Sequence, residues 1–283
     1  MRLQEEGARP GGWDSAQHTV RLRLSASLAG FIRKTLAIAE LEVRKLRHDF
    51  TELITRAAQP VLWFVLFGEV LTRARAIPTG DVAYRDFLAP GILAQSVLFV
   101  AIFYGISIIW ERDLGITNKF LVSPTPRAAL VLGKALSAGV RALSQAVIIY
   151  ALALVLGVKM NWQPLALVGV LAVTMISAAM FSTFSLIIAC LVKTRERFMG
   201  IGQVLTMPLF FASNAIYPIE LMPAWLRLIS IANPLTYEVD ALRALMIRDW
   251  QSSFGVGTDF IVLVAVTVLL VIIAARLYPR VVL

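Results

Sequence analysis

The sequence contains a single cysteine, Cys190, and only two histidines, His18 and His48, in 283 residues. One cysteine excludes an internal disulfide framework and any cysteine-cluster metal site. Both histidines precede the first long apolar run, and no pair of carboxylates falls within such a run. The chain therefore lacks the positioned acids, bases and ligands of a membrane enzyme. A phosphate-binding loop is missing too: Gly133-Lys134 is followed by Ala135, and Ala128 stands where the first glycine belongs. We expect no catalytic residue, no metal and no cofactor on this chain. The N-terminus has no short apolar core followed by a cleavage site, so no signal peptide is expected.

What the sequence has in abundance is apolar length. Its hydrophobic content is 58% and its mean hydropathy +0.76, above the roughly 45–50% of soluble domains. The excess lies in long uncharged runs, enough for about six membrane helices of ~20 residues. The net charge is +9, but Lys and Arg gather on particular loops, which membrane topology explains better than nucleic acid does.

Residues 1–26 are polar and read as a mobile tail. Over 27–52, apolar residues such as Phe31, Ile32, Leu36, Val43 and Leu46 recur three or four apart, with Arg33, Lys34, Arg44 and Lys45 between them. That spacing predicts an amphipathic helix in the membrane interface or one packed on a soluble partner. From 53 onward the chain reads as a six-span domain. The spans are placed at about 53–72, 87–110, 136–157, 165–192, 198–215 and 260–275. Arg56 and Glu69 mark the ends of the first span, Arg141 snorkels near the start of the third, and Pro208 is a candidate kink in the fifth. With both termini inside, the inner segments carry nineteen Lys and Arg, counting the N-terminal region through Arg56, and the outer segments seven. The bias supports an even number of spans with both termini cytoplasmic.

Two stretches are unlike connectors. The 110–134 insert, WERDLGITNKFLVSPTPRAALVLGK, has a short amphipathic helical pattern broken by Pro124 and Pro126. A solvated loop has the same composition, but a helix across the base of two spans would move both when pushed. The second stretch, 216–243, holds two apolar pieces too short to cross, bounded by Pro218, Pro223 and Asn233-Pro234. Pieces of that length read as re-entrant or interfacial helices. Polar uncharged residues inside the spans are Gln95, Ser96, Gln145, Ser177, Ser182, Gln203 and Asn214. Their competing roles are interhelical hydrogen bonding and lining a path for an amphiphilic substrate. Phe99 and Phe103, with Trp63, Phe64 and Tyr104, are the aromatics available to such a path or to packing. The candidate path is Gln95, Phe99, Phe103, Gln203 and Asn214.

The insert ERDLGITNKFLVSPTPRAALVLGKAL resembles the cytoplasmic segment of type-2 ABC exporter permeases, in their daunorubicin-resistance-like and nodulation-exporter-like branch. YPIELMPAWLRLISIANPLTYEVDALRAL resembles the outer segment of the same family, with its Pro, Pro-x-Trp and Asn-Pro-x-Thr steps. The likeness covers roughly residues 35–280. It implies an all-α integral membrane protein with six spans, an N-terminal interface helix, and re-entrant helices over 218–231 and 234–245 between spans 5 and 6. It also implies a coupling segment at 111–126, with Glu111, Arg112, Leu114, Asn118 and Phe120 as contacts to a cytoplasmic ABC ATPase. The outer gate would be built from Pro218, Pro223, Trp225, Asn233 and Pro234. The family's Arg/Glu-Glu-Gly-Thr cluster reads Glu111-Arg112-Asp113-Leu114-Gly115-Ile116-Thr117 here, an alteration that bears on partner choice.

The implied assembly is a second permease copy and two ATPase subunits, which would bind the ATP and Mg, in the bacterial inner membrane. The implied function is export of a hydrophobic or amphiphilic cargo, drug or lipid-like. The alternatives are a glycan or lipid-linked saccharide exporter of the same family and, from another class, an ion-coupled transporter using Glu69 and Arg141. Partners are thus the bilayer and protein subunits, with no nucleic acid.

Overall fold

The computed structural model describes residues 30, 32–33, 35–37, 40, 50–74, 77–80, 82–114, 127–192, 194–248 and 250–278. Among them the chain is helical, and no strand forms beyond a single bridge between Met160 and Ile247. In chain order the helices are α1 (Phe50–Ala74), α2 (Tyr84–Tyr104), α3 (Ile106–Asp113), α4 (Arg127–Val155), α5 (Pro164–Leu191) and α6 (Arg195–Phe211). A 3₁₀ turn (Ile219–Leu221) then leads to α7 (Ala224–Ala232), α8 (Pro234–Met246) and α9 (Val256–Leu277). The described residues between 30 and 40 are helical as well; the rest of the 1–26 tail and of the expected interface helix lies outside the described residues, apart from the start of α1.

Among the described residues, four segments are long and apolar enough to cross a membrane: Tyr84–Asp113, Arg127–Val155, Pro164–Leu191 and Val256–Leu277. They coincide with the expected second, third, fourth and sixth spans. The helix that carries the third span begins at Arg127, just past the break at Pro124 and Pro126 where a new helical run is expected, and so starts ahead of the span expected from about 136. The expected first and fifth spans are the helices α1 and α6, which carry more charge or are shorter. α6 ends at Phe211, so residues 212–215 form a turn and not the last turn of a span.

The packing has α2 and α5 at its centre. α2 touches α1, α4, α5, α6 and α8, and nearly all of it is buried. α9 packs by one edge on α4, α5 and α8 and leaves Ile261, Val264, Val268, Leu269 and Ile272 exposed. Apolar side chains outward and small or polar ones inward is the arrangement that hydrocarbon favours. The helix-to-helix contacts use small residues. A Cβ on Gly91 would fall on the backbone carbonyl of Ala215, and one on Gly105 would fall on the Ser185 hydroxyl. Gly105 is where α2 breaks into α3, and there Ser185 Oγ donates to the Ile102 carbonyl. The expected second span is therefore two helical pieces around a polar cross-link.

Helix α1, the α2–α3 pair, α4, α5, α6 and α9 alternate in direction, so the bundle has two ends. One carries the ends of α3 and α5 and the starts of α4 and α6. The other carries the 75–83 and 156–163 loops and the whole of 212–255. At this far end α8 is not a surface element. Asn233 caps it, accepting from Leu235 N at 3.0 Å while its Nδ2 donates to Leu209 O at 2.7 Å, and Pro234 takes the first turn. The helix then plunges among α2, α5 and α9, burying Leu235, Val239, Leu242 and Met246 together with Glu238, Asp240 and Arg243.

Candidate functional site

Four of the five path residues meet in one place. Gln95, Phe99 and Phe103 recur four apart on one face of α2, and Gln203 faces them from α6. Together with Thr55, Gln59 and Pro60 of α1 they line a cavity of about 560 Å³. Phe99 and Phe103 lie with ring centroids 6.0 Å apart. Gln95 is buried, and its Oε1 has no hydrogen-bond partner among the described residues. A mainly apolar wall with a few amide groups suits an amphiphile, whose polar part takes the glutamines and whose apolar part takes the rings. The cavity is open along one side, where Gln59, Gln203 and Met199 are exposed.

Asn214 does not join that cavity. It is buried at the far end and lines a different one, beside Pro218 and Arg243. The other aromatics are structural. Phe64 is fully buried, Trp63 stacks on Phe67 at 4.5 Å, and Tyr104 is buried with Arg141 4.9 Å over its ring. Ser96 and Ser182 donate back to their own helices, to Ile92 O and Ala179 O. Ser185 does make an interhelical hydroxyl bond, as does Tyr104, whose hydroxyl lies 3.4 Å from Ser137 Oγ.

At the insert end, Glu111 does not point into solvent. It is buried and receives Lys134 Nζ on Oε2 at 2.6 Å, so the pair ties the end of α3 to the first turns of α4. Arg112 contacts Asp113 at 3.1 Å and donates to Val192 O at 3.4 Å. Asp113 pairs with Arg195 at 2.8 Å, and that guanidinium lies 4.0 Å over the Trp110 ring. The ends of α3, α5 and α6 are thus pinned together. Leu114 is 69% exposed at the point where the insert begins. Asn118 and Phe120 lie outside the described residues. The Lys134 partner was missed because a lone lysine after Leu-Gly reads as the start of a span.

In the far segment, Pro218 precedes the 3₁₀ turn and Pro223 caps the start of α7, whose Trp225, Leu228 and Ile229 are exposed. Trp225 and Ile229 line an apolar groove of about 620 Å³ with Leu205, Pro208 and Leu209 of α6. Behind it lie charged groups that the sequence reading passed over. Asp240 and Asp259, both fully buried, take the same Ser252 hydroxyl at 2.8 and 3.0 Å. Glu238 is fully buried beside Ser177 of α5, with neither carboxyl oxygen hydrogen-bonded among the described residues, and burial pushes its carboxyl well above the ordinary range. The scarcity of buried charge inferred from sequence is therefore corrected at this end. The signal was present as three ionisable residues within an apolar helical stripe at 235, 239, 242 and 246. By contrast Glu69 pairs with Arg73 at 2.9 Å and is half exposed.

Residues 33–247 match the family described as ABC-2 type transporter. The chain belongs to that family. Among curated proteins it is 29% identical over 217 residues to a protein of Cyanophora paradoxa described as a transport permease, ycf38, covering 76% of this chain and 74% of that one. It is 26% identical over 200 residues to the daunorubicin resistance ABC transporter permease protein DrrB1 of Streptomyces coeruleorubidus, covering 71% and 70%. Nodulation protein J of Rhizobium leguminosarum bv. viciae is 26% identical over 200 residues, covering 69% and 74%. An ABC-2 type chain with several helices apolar enough to cross a membrane is a multi-pass membrane transport permease. Its relatives are transport subunits, and its family implies an ABC ATPase partner.

Proposed function

We propose that this chain is the membrane-spanning subunit of an ATP-driven exporter that moves a hydrophobic or amphiphilic cargo outward. The observation that carries the reading is the cavity of Gln95, Phe99, Phe103 and Gln203, walled by α1, α2 and α6 in a member of the ABC-2 type family. Names among its relatives include a daunorubicin resistance permease, which favours a drug-like or lipid-like cargo. In this reading α1 and α6 complete six spans, and residues 1–26 form a tail and 27–52 an interface helix. Residues 53–283 form the permease domain in a bacterial inner membrane, with both termini cytoplasmic. Two such chains work with two ATPase subunits, which hold the ATP and Mg; this chain binds no cofactor.

ATP binding would act on the 111–126 segment, with Arg112, Leu114, Asn118 and Phe120 at the docking surface. Glu111 would serve from behind, since its pairing with Lys134 makes α3 and α4 move as one. The break at Gly105 would let α3 swing while α2 holds its place in the core. Motion there changes the mouth of the cavity, which Ile106 helps to line. The 216–245 segment, with Pro218, Pro223, Trp225, Asn233 and Pro234, would form the outer gate.

Two other readings carry a specific observation. A saccharide exporter would use an aromatic tunnel, but only Phe99 and Phe103 among the candidate aromatics line the cavity. An ion-coupled carrier would use the buried Glu238, Asp240 and Asp259. The test is export by inverted vesicles carrying the permease with its ATPase. Phe99→Ala and Gln203→Ala should change cargo affinity or selectivity while ATP dependence persists. Export that survives ATP depletion and collapses with the proton gradient would promote the carrier reading.

A further inference from the structure

The far end of the bundle holds a buried cation with few partners. Arg243 is 2% exposed because α8 carries it into the space between α2 and the 212–221 turn. Taking a guanidinium out of water costs several kcal/mol unless its donors are met. Of its five N–H donors, the hydrogen bond formed is Nη2 to Asn214 O at 2.7 Å. No carboxylate lies within ion-pair distance of it among the described residues. Asp240 and Glu220 act on it only at longer range, and Asp240 is already committed to Ser252 and to the Phe254 amide at 3.1 Å.

What holds Arg243 is aromatic: its guanidinium lies 3.8 Å over the Phe87 ring and 5.7 Å from that of Trp250. Stacking of this kind covers the face of the guanidinium and leaves its edge for acceptors. The same three residues line a cavity of about 650 Å³ with Asn214, Arg248, Ile219, Pro78, Thr79, Gly80 and Val82. Two donors in this wall, Arg243 Nε and Trp250 Nε1, are buried without an acceptor among the described residues, and buried donors in that state call for a partner. Arg248 adds a second, exposed cation, while the one carboxylate on the lining among the described residues, Glu220, is exposed to water.

We propose that this cavity is a binding site for an anionic headgroup, a phosphate ester or a carboxylate, held by Arg243 and Arg248. The aromatic and aliphatic wall of Phe87, Trp250 and Ile219 would receive the apolar part joined to it. Two sources share this chemistry, an anionic lipid of the bilayer and a soluble phosphate.

The test uses the full chain in phosphatidylcholine nanodiscs. It is titrated with dioctanoyl phosphatidylglycerol, with uncharged dioctanoylglycerol, and with inorganic phosphate, and binding is read by native mass spectrometry and thermal shift. Phosphatidylglycerol should bind about tenfold or more tightly than the uncharged lipid, the worth of one charge-assisted hydrogen bond or more. Arg248→Gln, at an exposed position, and Trp250→Phe, which keeps the ring, should each weaken it several-fold without loss of fold. Arg243→Gln should abolish it, and the other two variants decide the matter if that one fails to fold. Binding of inorganic phosphate that competes with phosphatidylglycerol would support the site with a soluble anion as its source. Equal affinity for charged and uncharged lipid, or affinity untouched by both Arg248→Gln and Trp250→Phe, would overturn the proposal.

Discussion

Breaking the Glu111–Lys134 pair should cost more than its replacement. The two groups meet at 2.6 Å with side chains 9% and 4% exposed. At an effective dielectric of ~20 their attraction is about 6 kcal/mol, of the same order as the cost of taking two ions out of water. The intact pair is therefore close to break-even, whereas removing the Glu111 carboxylate strands the buried Lys134 ammonium at about 3–5 kcal/mol. Glu111→Gln should lower the thermal midpoint of the detergent-solubilised protein strongly, and Lys134→Met by less, because Glu111 has a further partner. The double variant should recover most of the loss, giving a coupling of several kcal/mol in the cycle. ATP-driven transport supplies a second readout. If the pair ties α3 to α4 as a lever, the double variant regains stability yet transports with a reduced ratio of cargo moved to ATP hydrolysed. Single variants as stable as the native chain, or a double variant no better than the worse single, would refute the reasoning.

Two further changes probe the packing and the buried carboxyls. Gly91→Ala puts a methyl group on the Ala215 backbone and should cost about 1–3 kcal/mol; Gly200→Ala, at a glycine with open space around it, should be near neutral, and a thermal shift assay compares them. Glu238 has its folded pKa raised by burial, so its native form stays protonated where an unfolded carboxyl ionises. Stability is full below the unfolded pKa of about 4.3 and is lost as pH rises towards the raised value. Glu238→Gln should therefore gain on the native chain as pH rises above about 5, measured by thermal midpoints from that pH upward, and a pH-independent difference would count against it.

The spans were legible because hydrocarbon demands long uncharged runs, and those at 84–113, 127–155, 164–191 and 256–277 have them. The cavity was half legible. Gln95, Phe99 and Phe103 recur at helical spacing, but nothing in the sequence says that Gln203 faces them or that Asn214 does not. The far segment was read by its prolines, which mark where α7 and α8 start but not where they go. Its depth became visible only in three dimensions, where α8 fills the gap between α2, α5 and α9 and takes Glu238, Asp240 and Arg243 with it. Lys134 was opaque for a related reason: its partner Glu111 is 23 residues away, across the insert.

The account turns on energy entering from a separate ATPase through the 111–126 segment. The direct measurement is purification of the tagged protein from its native membrane, with identification of what accompanies it and an assay of ATP hydrolysis. A cytoplasmic ABC ATPase should co-purify, and it should be lost when Leu114 and Phe120 are both changed to Asp while the permease stays inserted. A protein that arrives alone under gentle detergent from cells where it functions, with transport following the proton gradient, would contradict the account.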